Sequence, residues 1–128
     1  MLIRPQLMEQ VMLDQLQKGH DIRWEMQSNG TLVTDEHIRV FQKYKVSVGV
    51  SIDGLKKHHD KYRIFKNGNP TYDVIMKNTQ RLRNSGISCG TLLTITDENV
   101  NDLPEIYQEL CKKNLNFSFN ALFPSKAD

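Results

Sequence analysis

The segment Val46–Ile52 constrains the fold more than any other part of the sequence, because its two faces differ in size and polarity. Every second residue is a bulky aliphatic: Val46, Val48, Val50 and Ile52. The residues between them, and the one that follows, are small or polar: Ser47, Gly49, Ser51 and Asp53. Because side chains alternate across a strand, we expect the bulky face to pack under helices and the small face to leave room for a polar ligand.

Helical and strand patterns alternate four times along the chain. The predicted helices cover Pro5–Lys18, a segment capped by Thr34, a segment from Thr71 or Tyr72 to Gly86, and a segment from Asn101 or Asp102 to Lys113. The predicted strands are Asp21–Met26, Val46–Ile52, Ile87–Ile95 and Phe117–Phe123. The segment from Asp53 to about Pro70 is predicted to be a long loop, which is uncommon inside a compact domain and often functional.

This order of elements predicts an α/β fold with a parallel sheet, since strands separated by helices need crossover connections. Four such units in sequence are typical of a partial parallel β/α (TIM-like) barrel, forming a single domain over residues 1–128. A free-standing flavodoxin-like sheet is the structural alternative, and it requires a reversal of strand order.

Composition excludes several functional classes. A net charge of +2 over 128 residues is too small to indicate a nucleic-acid or anionic-membrane partner. No apolar run approaches the roughly 20 residues that span a bilayer, and the first residues lack signal-peptide features, so we expect a cytoplasmic location. The two cysteines, Cys89 and Cys111, are too few for a disulfide scaffold and too far apart for a metal knuckle, and are predicted to be free buried thiols.

Strand alternation predicts that one side of the sheet receives polar residues from all four strands. The predicted set is Arg23, Glu25, Gln27, Ser47, Gly49, Ser51, Asp53, Ser88, Gly90, Leu92, Thr94, Ser118, Asn120 and Leu122. Unsatisfied polar groups in a closed core cost roughly 1–3 kcal/mol each, so one interpretation is a cavity with a polar ligand or water. A sheet with one wet face is the other interpretation, although parallel sheets usually have both faces covered.

An ordered series of short phrases resembles the middle of radical SAM enzymes, and most of all the anaerobic sulfatase-maturating (arylsulfatase regulator) group with a SPASM extension. The phrase from Gln27 to Leu32 is similar to the family's QTNGTLL. The other matching phrases are Ser51-Ile52-Asp53-Gly54, His59-Asp60-x-x-Arg63, Asn67–Tyr72 and Asn99. The resemblance covers nearly the whole chain.

The resemblance implies a partial barrel that binds S-adenosylmethionine (AdoMet) across its strand ends, beside a [4Fe–4S] cluster held by a CxxxCxxC motif. In this family, reductive cleavage of AdoMet gives a 5′-deoxyadenosyl radical. In sulfatase maturation that radical abstracts hydrogen from a Cys or Ser side chain of the substrate sulfatase, and formylglycine results. The implied partner is therefore a sulfatase or another peptide.

By the same resemblance, the cofactor-binding residues are Gln27, Asn29, Ser51, Asp53, Arg63, Asn120 and Leu122. Gln27, Ser51 and Asp53 would contact the ribose or the methionyl part of AdoMet. Arg63, which is always cationic, suits a carboxylate partner. The last two residues of the set would lie near the adenine.

Each of these residues also has a purely structural interpretation. Gln27 and Asn29 could simply form a turn. Ser51 could satisfy a backbone group, and Asp53 could cap the loop.

The charged residues of the predicted loop leave similar alternatives open. Asp60 and Arg63 could form a surface ion pair worth under about 1 kcal/mol. Neighbouring His58 and His59 cannot easily face one metal ion, and the resemblance makes His59 a residue that orders the loop. The remaining histidines are expected to be solvated: His20 and His37.

Two family motifs do not occur in this sequence: CxxxCxxC and the GGEP phrase that precedes the matched region. The chain therefore resembles the middle of a radical SAM domain, without the cluster-binding N-terminal part or the C-terminal extension, and is expected to be inactive alone. Two alternatives stay open: a cluster-free nucleotide- or partner-binding module, and part of another SPASM peptide-modifying enzyme. Unpaired outer strands at 22–26 and 117–122 would also favour self-association.

Overall fold

The computed structural model describes residues 4–121, and its centre is a sheet of four parallel strands. The strands stand in the order β1 (Glu25–Ser28), β2 (Ser47–Ile52), β3 (Cys89–Ile95) and β4 (Phe117–Ala121). Connections between neighbouring parallel strands are almost always right-handed, so a sequential order places every connecting helix on the same side of the sheet. This arrangement is an arc of a β/α barrel, and it confirms the predicted fold class. The four described strands show no reversal of the kind a flavodoxin-like sheet requires.

The helices within residues 4–121 are α1 (Pro5–Gln17), α2 (Asp35–Tyr44), α3 (Lys56–Tyr62), α4 (Tyr72–Asn84) and α5 (Leu103–Lys112), with a 3₁₀ turn at Val100–Asp102. Sequence chemistry explains where several of them start. Pro5 occupies the first turn of α1, where its missing N–H costs nothing. At α2, the Thr34 hydroxyl accepts a bond from the His37 N–H, and the His37 ring accepts one from the Thr34 N–H, forming a capping box.

The bulky face of β2 is buried under the helices, as its alternation predicts. Val48, Val50 and Ile52 are 4%, 0% and 2% exposed. One core cluster packs α1, α2 and α4 against β2 and β3, and includes Met8, Met12, Val40, Phe41, Val48, Val50, Ile75 and Leu82. A second cluster packs α5 against β3 and includes Leu93, Ile106, Leu110 and Leu115. Burial of each large aliphatic side chain contributes about 1.5–3 kcal/mol, so these clusters fix the sheet and leave its opposite face free.

The segment predicted as one long loop contains helix α3, so that prediction is wrong. Hydrophobic periodicity could not detect the helix, because the side chain that it buries belongs to His59. The first turn of α3 is stabilised by a second histidine: the ring Nδ1 of His58 accepts a hydrogen bond from the Leu55 N–H at 3.0 Å.

Three further predictions need correction. Cys111 was expected to be buried like Cys89 but is exposed, because α5 buries Ile106 and Leu110 and turns the following residue outward. The first strand runs over Glu25–Ser28 and not over Asp21–Met26, because its pairing with β2 starts at Glu25 opposite Ser47, the first residue of β2, and continues to Ser28 opposite Val50. His37 was expected to be solvated but is only 5% exposed, since it forms the α2 capping box. The predicted end of the fourth strand, Phe123, lies outside the described residues. No helix within residues 4–121 is long and apolar enough to cross a membrane.

Candidate functional site

The polar side chains of the four strands share the sheet face that the helices leave uncovered. The register places Gln27 opposite Gly49, and Gly49 opposite Gly90. It also places Thr94 opposite Asn120. The alternating burial of β1, β2 and β3 confirms the predicted parity there, and the register aligns β4 with it although Phe119 on this outer strand is exposed. Among residues 4–121 the face is open: Gln27 and Asn120 are exposed, and Ser51 and Thr94 are half-buried.

A shallow groove of about 490 Å³ lies on the N-terminal half of this open face, and Ser51, Asp53 and Arg63 at the other end of the strands do not line it. Its floor contains Gly49 and Gly90, which neighbour each other across β2 and β3. A Cβ at Gly49 would lie 3.1 Å from the Leu92 Cδ1, and a Cβ at Gly90 would lie 3.3 Å from the Asn116 carbonyl oxygen. Larger residues here would fill the groove and push against its walls, so the two glycines preserve space on the open face.

Asp53 and Arg63 form an ion pair at the C-terminal end of β2. The Arg63 Nε donates to the Asp53 Oδ2 at 2.7 Å, and the two side chains are 39% and 28% exposed. The surface pair between Asp60 and Arg63, offered as an alternative from the sequence, does not form. Asp60 instead accepts hydrogen bonds from the backbone N–H groups of Thr71 and Tyr72, at 3.2 and 2.9 Å, and so caps the start of α4.

Two buried polar side chains hold the backbone of Asp53. The His59 Nδ1 accepts a hydrogen bond from the Asp53 N–H at 3.3 Å. The Asn99 Nδ2 donates to the Asp53 carbonyl oxygen at 3.0 Å and to the Thr94 carbonyl oxygen at 2.9 Å. The Asn99 Oδ1 accepts from the Thr96 N–H at 2.9 Å. Asn99 therefore ties the C-terminal ends of β2 and β3 together beyond the last strand-to-strand pairs.

His59 connects Asp53 to the opposite end of α3. Because the Asp53 N–H can only donate, the His59 Nδ1 is the acceptor and its Nε2 carries the proton. That Nε2 lies 3.1 Å from the Thr71 hydroxyl, which in turn donates to the Arg63 carbonyl oxygen. Burial lowers the pKa of His59 below its ordinary value, partly offset by Asp53. With Nδ1 as an acceptor the ring is neutral, and its two hydrogen bonds connect Asp53 before α3 with Thr71 after it.

The phrase that starts at Gln27 combines a site position with a turn. Gln27 lies on the open face, whereas the Asn29 Oδ1 accepts hydrogen bonds from the Thr31 N–H and hydroxyl, at 3.1 and 2.9 Å. Gly30 follows with a φ of +73°, and a Cβ there would lie 2.8 Å from the Val50 Cγ1. The side-chain oxygen of Asn29 is therefore used to form a turn, as the structural interpretation of this residue predicted.

His58 and His59 face different partners and do not converge on one ion. His58 contacts Asp102 through its Nε2, at 2.8 Å, whereas His59 faces Asp53 and Thr71. Among residues 4–121 no three His, Cys, Asp or Glu side chains are arranged to hold a metal ion. Of the seven residues predicted to bind the cofactor, Leu122 lies outside the described residues.

Sequence reasoning missed two contributors to the site. Asn99 was noted only as a matching residue, although its short amide side chain bonds three backbone groups. Thr71 was considered only as a possible helix start and as part of a matching phrase, yet its hydroxyl links His59 to the Arg63 backbone. Local signals could not find their links to the ion pair, because Asn99 lies 46 positions from Asp53, and Thr71 lies 8 positions from Arg63 and 12 from His59.

The fold, the open polar face and the matched phrases together define a radical SAM core. The sequence matches the Radical SAM superfamily over residues 2–110, and the chain belongs to that superfamily.

Its relatives include anaerobic sulfatase-maturating enzymes. The chain is 37% identical over 82 residues to the serine-type enzyme of Bacteroides thetaiotaomicron, covering 64% of this chain and 20% of the relative. It is 27% identical over 97 residues to the cysteine-type enzyme of Clostridium novyi, covering 76% of this chain and 26% of the relative. The chain thus spans about a fifth to a quarter of the length of these relatives.

Solved structures share the fold. Native anSMEcpe with bound AdoMet superimposes with a TM-score of 0.83 at 21% sequence identity, over 92% of this chain and 34% of that chain. Streptococcus suis SuiB bound to S-adenosylmethionine superimposes with a TM-score of 0.66 at 15% identity, over 92% and 27% of the two chains.

The two cofactors of the family fit this chain differently. The open face offers hydroxyl, amide, carboxylate and guanidinium groups, which suit the hydroxyls, carboxylate and base of AdoMet. A [4Fe–4S] cluster is held by cysteine thiolates, and the whole sequence has only Cys89 and Cys111. Cys89 is buried on the helix side of β3, and burial raises the pKa of its thiol to about 11. The cysteines present therefore do not fit a cluster.

Proposed function

We propose that this chain forms four adjacent βα units of a radical SAM barrel, as a single domain, and that its open sheet face is part of an AdoMet-binding wall. The [4Fe–4S] cluster of the family would then be held by residues that this sequence does not contain. The observation that carries the proposal is the Asp53–Arg63 pair, placed at the rim where parallel α/β sheets bind their ligands.

Arg63 is suited to the carboxylate of the methionyl part of AdoMet. Its Nε is engaged by Asp53, while its two terminal nitrogens have no protein partner within residues 4–121. A guanidinium fixed along one edge presents its remaining N–H groups in a fork that matches a carboxylate. Asp53 thereby orients the cation and keeps a second oxygen for a ribose hydroxyl.

The other site residues lie along the same open face. Ser51 and Gln27 provide hydroxyl and amide groups on β2 and β1, and Asn120 provides an amide on β4. We assign the first two to the ribose or methionyl part and Asn120 to the adenine end, and the family resemblance assigns Leu122 to the adenine as well. AdoMet bound next to a reduced cluster supplies a hydrogen-abstracting radical, and the residues of this chain bind and orient the cofactor.

For the whole enzyme we propose a peptide substrate of the sulfatase type, in which a Cys or Ser side chain is oxidised to formylglycine. The support is the likeness to serine- and cysteine-type anaerobic sulfatase-maturating enzymes. A solved structure of anSMEcpe with AdoMet and the Kp18Cys peptide also shares the fold, with a TM-score of 0.84. Streptococcus suis SuiB bound to the precursor peptide SuiA shares the fold less closely, with a TM-score of 0.63.

An NMR titration of the ¹⁵N-labelled chain with AdoMet tests the binding proposal. Because the sequence lacks the CxxxCxxC and GGEP motifs of the family, we expect weak affinity, and millimolar ligand is needed. The backbone amides of Ser51, Asp53 and Thr94 should shift together along one binding curve, whereas amides on the outer surfaces of α1 and α2 should not. Adenosine, which lacks the methionyl carboxylate, should shift fewer of them and bind more weakly. Uniform absence of shifts, or shifts confined to the helix side, would overturn the proposal.

We also propose that the isolated chain self-associates through an outer strand. Among the described strands, β1 and β4 each pair on one side only, and an unpaired strand edge recruits further strands. Light scattering over a concentration series should show a mass that rises above 14.9 kDa. A constant monomer mass at the highest concentration would refute this point without affecting the AdoMet proposal.

A further inference from the structure

We infer that His59 and Asn99 are positioning residues, which fix Asp53 and Arg63 in the geometry that receives the ligand. The part of this inference that concerns AdoMet rests on the proposed function. The positioning of the Asp53–Arg63 ion pair rests on the hydrogen bonds around these two residues.

Neither residue is placed to touch a ligand. The His59 ring is 0% exposed and Asn99 is 2% exposed. Burial of an imidazole and an amide is costly unless their polar atoms are hydrogen-bonded. Here those atoms are hydrogen-bonded to Asp53, Thr71, Thr94 and Thr96. Their contribution to binding must therefore act through these neighbours.

Asp53 is held at three points by two parts of the chain, the α3 segment and the residues that follow β3. Its N–H is bonded to His59 on α3, its carbonyl oxygen to Asn99 after β3, and its carboxylate to Arg63 at the end of α3. With both backbone groups fixed, the direction of the Asp53 side chain is set by its rotamer alone. A carboxylate placed in this way can hold the guanidinium in one orientation.

Arg63 is fixed from the other side by the same histidine. The His59 Nε2 bonds to the Thr71 hydroxyl, and that hydroxyl donates to the Arg63 carbonyl oxygen. His59 thus bridges the backbones of both members of the ion pair. Because both residues are ordered before a ligand binds, less conformational entropy is lost on binding. Removal of His59 should therefore loosen Asp53 and Arg63 at once.

The neighbouring residue His58 offers a matched control within the same helix. It stabilises the start of α3 through the Leu55 N–H and joins that helix to Asp102, at 3.0 and 2.8 Å. It makes no hydrogen bond to Asp53, Arg63 or Thr71 in the described structure. A His58→Phe change therefore weakens the anchoring of α3 without removing a bond to the pair.

The Asp53–Arg63 ion pair can be tested directly, without any ligand, by hydrogen exchange of the Arg63 Nε–H. In the ¹⁵N-labelled chain, the Arg63 Nε–H signal is assigned by its loss in Arg63→Lys, and its exchange with water is measured. His59→Phe keeps the ring and removes both hydrogen bonds. Asn99→Asp keeps the acceptor for the Thr96 N–H and removes the donor. We expect about tenfold faster Nε–H exchange in each variant, as loss of one or two net hydrogen bonds implies, and at most about twofold faster exchange in His58→Phe.

Thr71→Val keeps the test decisive if a variant does not fold. It removes the hydroxyl that joins His59 to Arg63 and preserves the shape of the side chain, so about threefold faster exchange is expected. The inference fails if the folded variants at 59, 99 and 71 exchange as the wild type does, or if His58→Phe matches them. The AdoMet titration of the wild type is read separately: absence of binding with normal Nε–H behaviour overturns the proposed function and leaves the positioning of the pair intact.

Discussion

The guanidinium of Arg63 reaches back ten positions to the carboxylate of Asp53, with an Nε to Oδ2 distance of 2.7 Å. This contact joins the end of α3 to the end of β2 through the Arg63 Nε, and the terminal nitrogens of Arg63 make no hydrogen bond to Asp53. The segment between them is charged and carries only one buried side chain, that of His59. The arrangement is explained by polar contacts to His59, Asn99 and Thr71, and not by a hydrophobic core.

Replacement of Arg63 by lysine should separate ligand binding from stability. An ammonium group can still pair with Asp53 but has no planar fork left for a carboxylate. We expect the AdoMet concentration at half-maximal NMR shift to rise about tenfold, since a charge-assisted bidentate contact is lost. Stability to urea should change by less than about 1 kcal/mol, because the pair is partly exposed.

Arg39→Lys is the matched control for that experiment. Arg39 pairs with Glu9 between α2 and α1, on the helix side of the sheet, so AdoMet binding should be unaffected. Equal losses of AdoMet binding in the two variants would show that Arg63 has no special role.

The neutral state of His59 should make stability depend on pH. Its pKa in the folded chain is lowered from the ordinary value of 6.5, chiefly by burial, and it faces Asp53, Asp60 and Arg63. The unfolded chain therefore binds more protons as the pH falls. The stability that the neutral His59 ring contributes is complete above pH 6.5, and it is lost as the pH falls from 6.5 toward the pKa of His59 in the folded chain.

Urea unfolding of the wild type and His59→Phe across this pH range checks the sign. The wild type should be the more stable protein above pH 7.5, by about 1–3 kcal/mol for the lost buried hydrogen bonds, and the difference should shrink as the pH falls below 6.5. A difference that stays constant, or grows on acidification, would contradict burial as the cause.

Gly30→Ala should be among the most damaging small substitutions on the described chain. The residue has a φ of +73°, and an added Cβ would lie 2.8 Å from the Val50 Cγ1 and 3.1 Å from the Ile75 Cγ2. Backbone strain and overpacking together should lower the free energy of unfolding by about 3 kcal/mol.

Gly68→Ala separates the two causes. Its φ is +85°, but nothing lies within 4 Å of the added Cβ, so only the strain of about 1 kcal/mol remains. Urea denaturation curves of the two variants should therefore differ clearly, and coincident curves would show that Gly30 is not packed as described.

The two thiols should react very differently. Cys111 is exposed, whereas Cys89 is buried and its pKa is raised to about 11 by that burial. Only the thiolate attacks iodoacetamide, so mass spectrometry at pH 8 should find Cys111 labelled in the folded chain and Cys89 labelled only in urea. Cys111→Ser should abolish labelling of the folded chain; equal rates at both positions would contradict the packing of β3.

The fold could be predicted from the sequence because its signals are local. The alternation in β2 determined which face is buried, and the Asn29–Gly30 pair and Thr34 correctly marked a turn and a helix start. The same local reasoning failed at α3, where a histidine takes the place of the buried aliphatic residue, and at His37, whose ring completes a helix cap.

The candidate site could be predicted only in part, since strand parity identifies residues on one face but not their hydrogen-bond partners. Gln27, Ser51 and Asn120 follow from parity. The pairing of Asp53 with Arg63, and not of Asp60 with Arg63, depends on how α3 and α4 pack, because Asp60 is drawn to the N–H groups at the start of α4.

The most direct measurement is a set of intermolecular NOEs between the labelled chain and AdoMet. If the open sheet face is an AdoMet-binding wall, ribose and methionyl protons should give NOEs to side-chain protons of Ser51 and Arg63, and adenine protons should give NOEs to Thr94 and Asn120. NOEs that connect AdoMet only to α1, α2 or other residues on the helix side would contradict the proposed function.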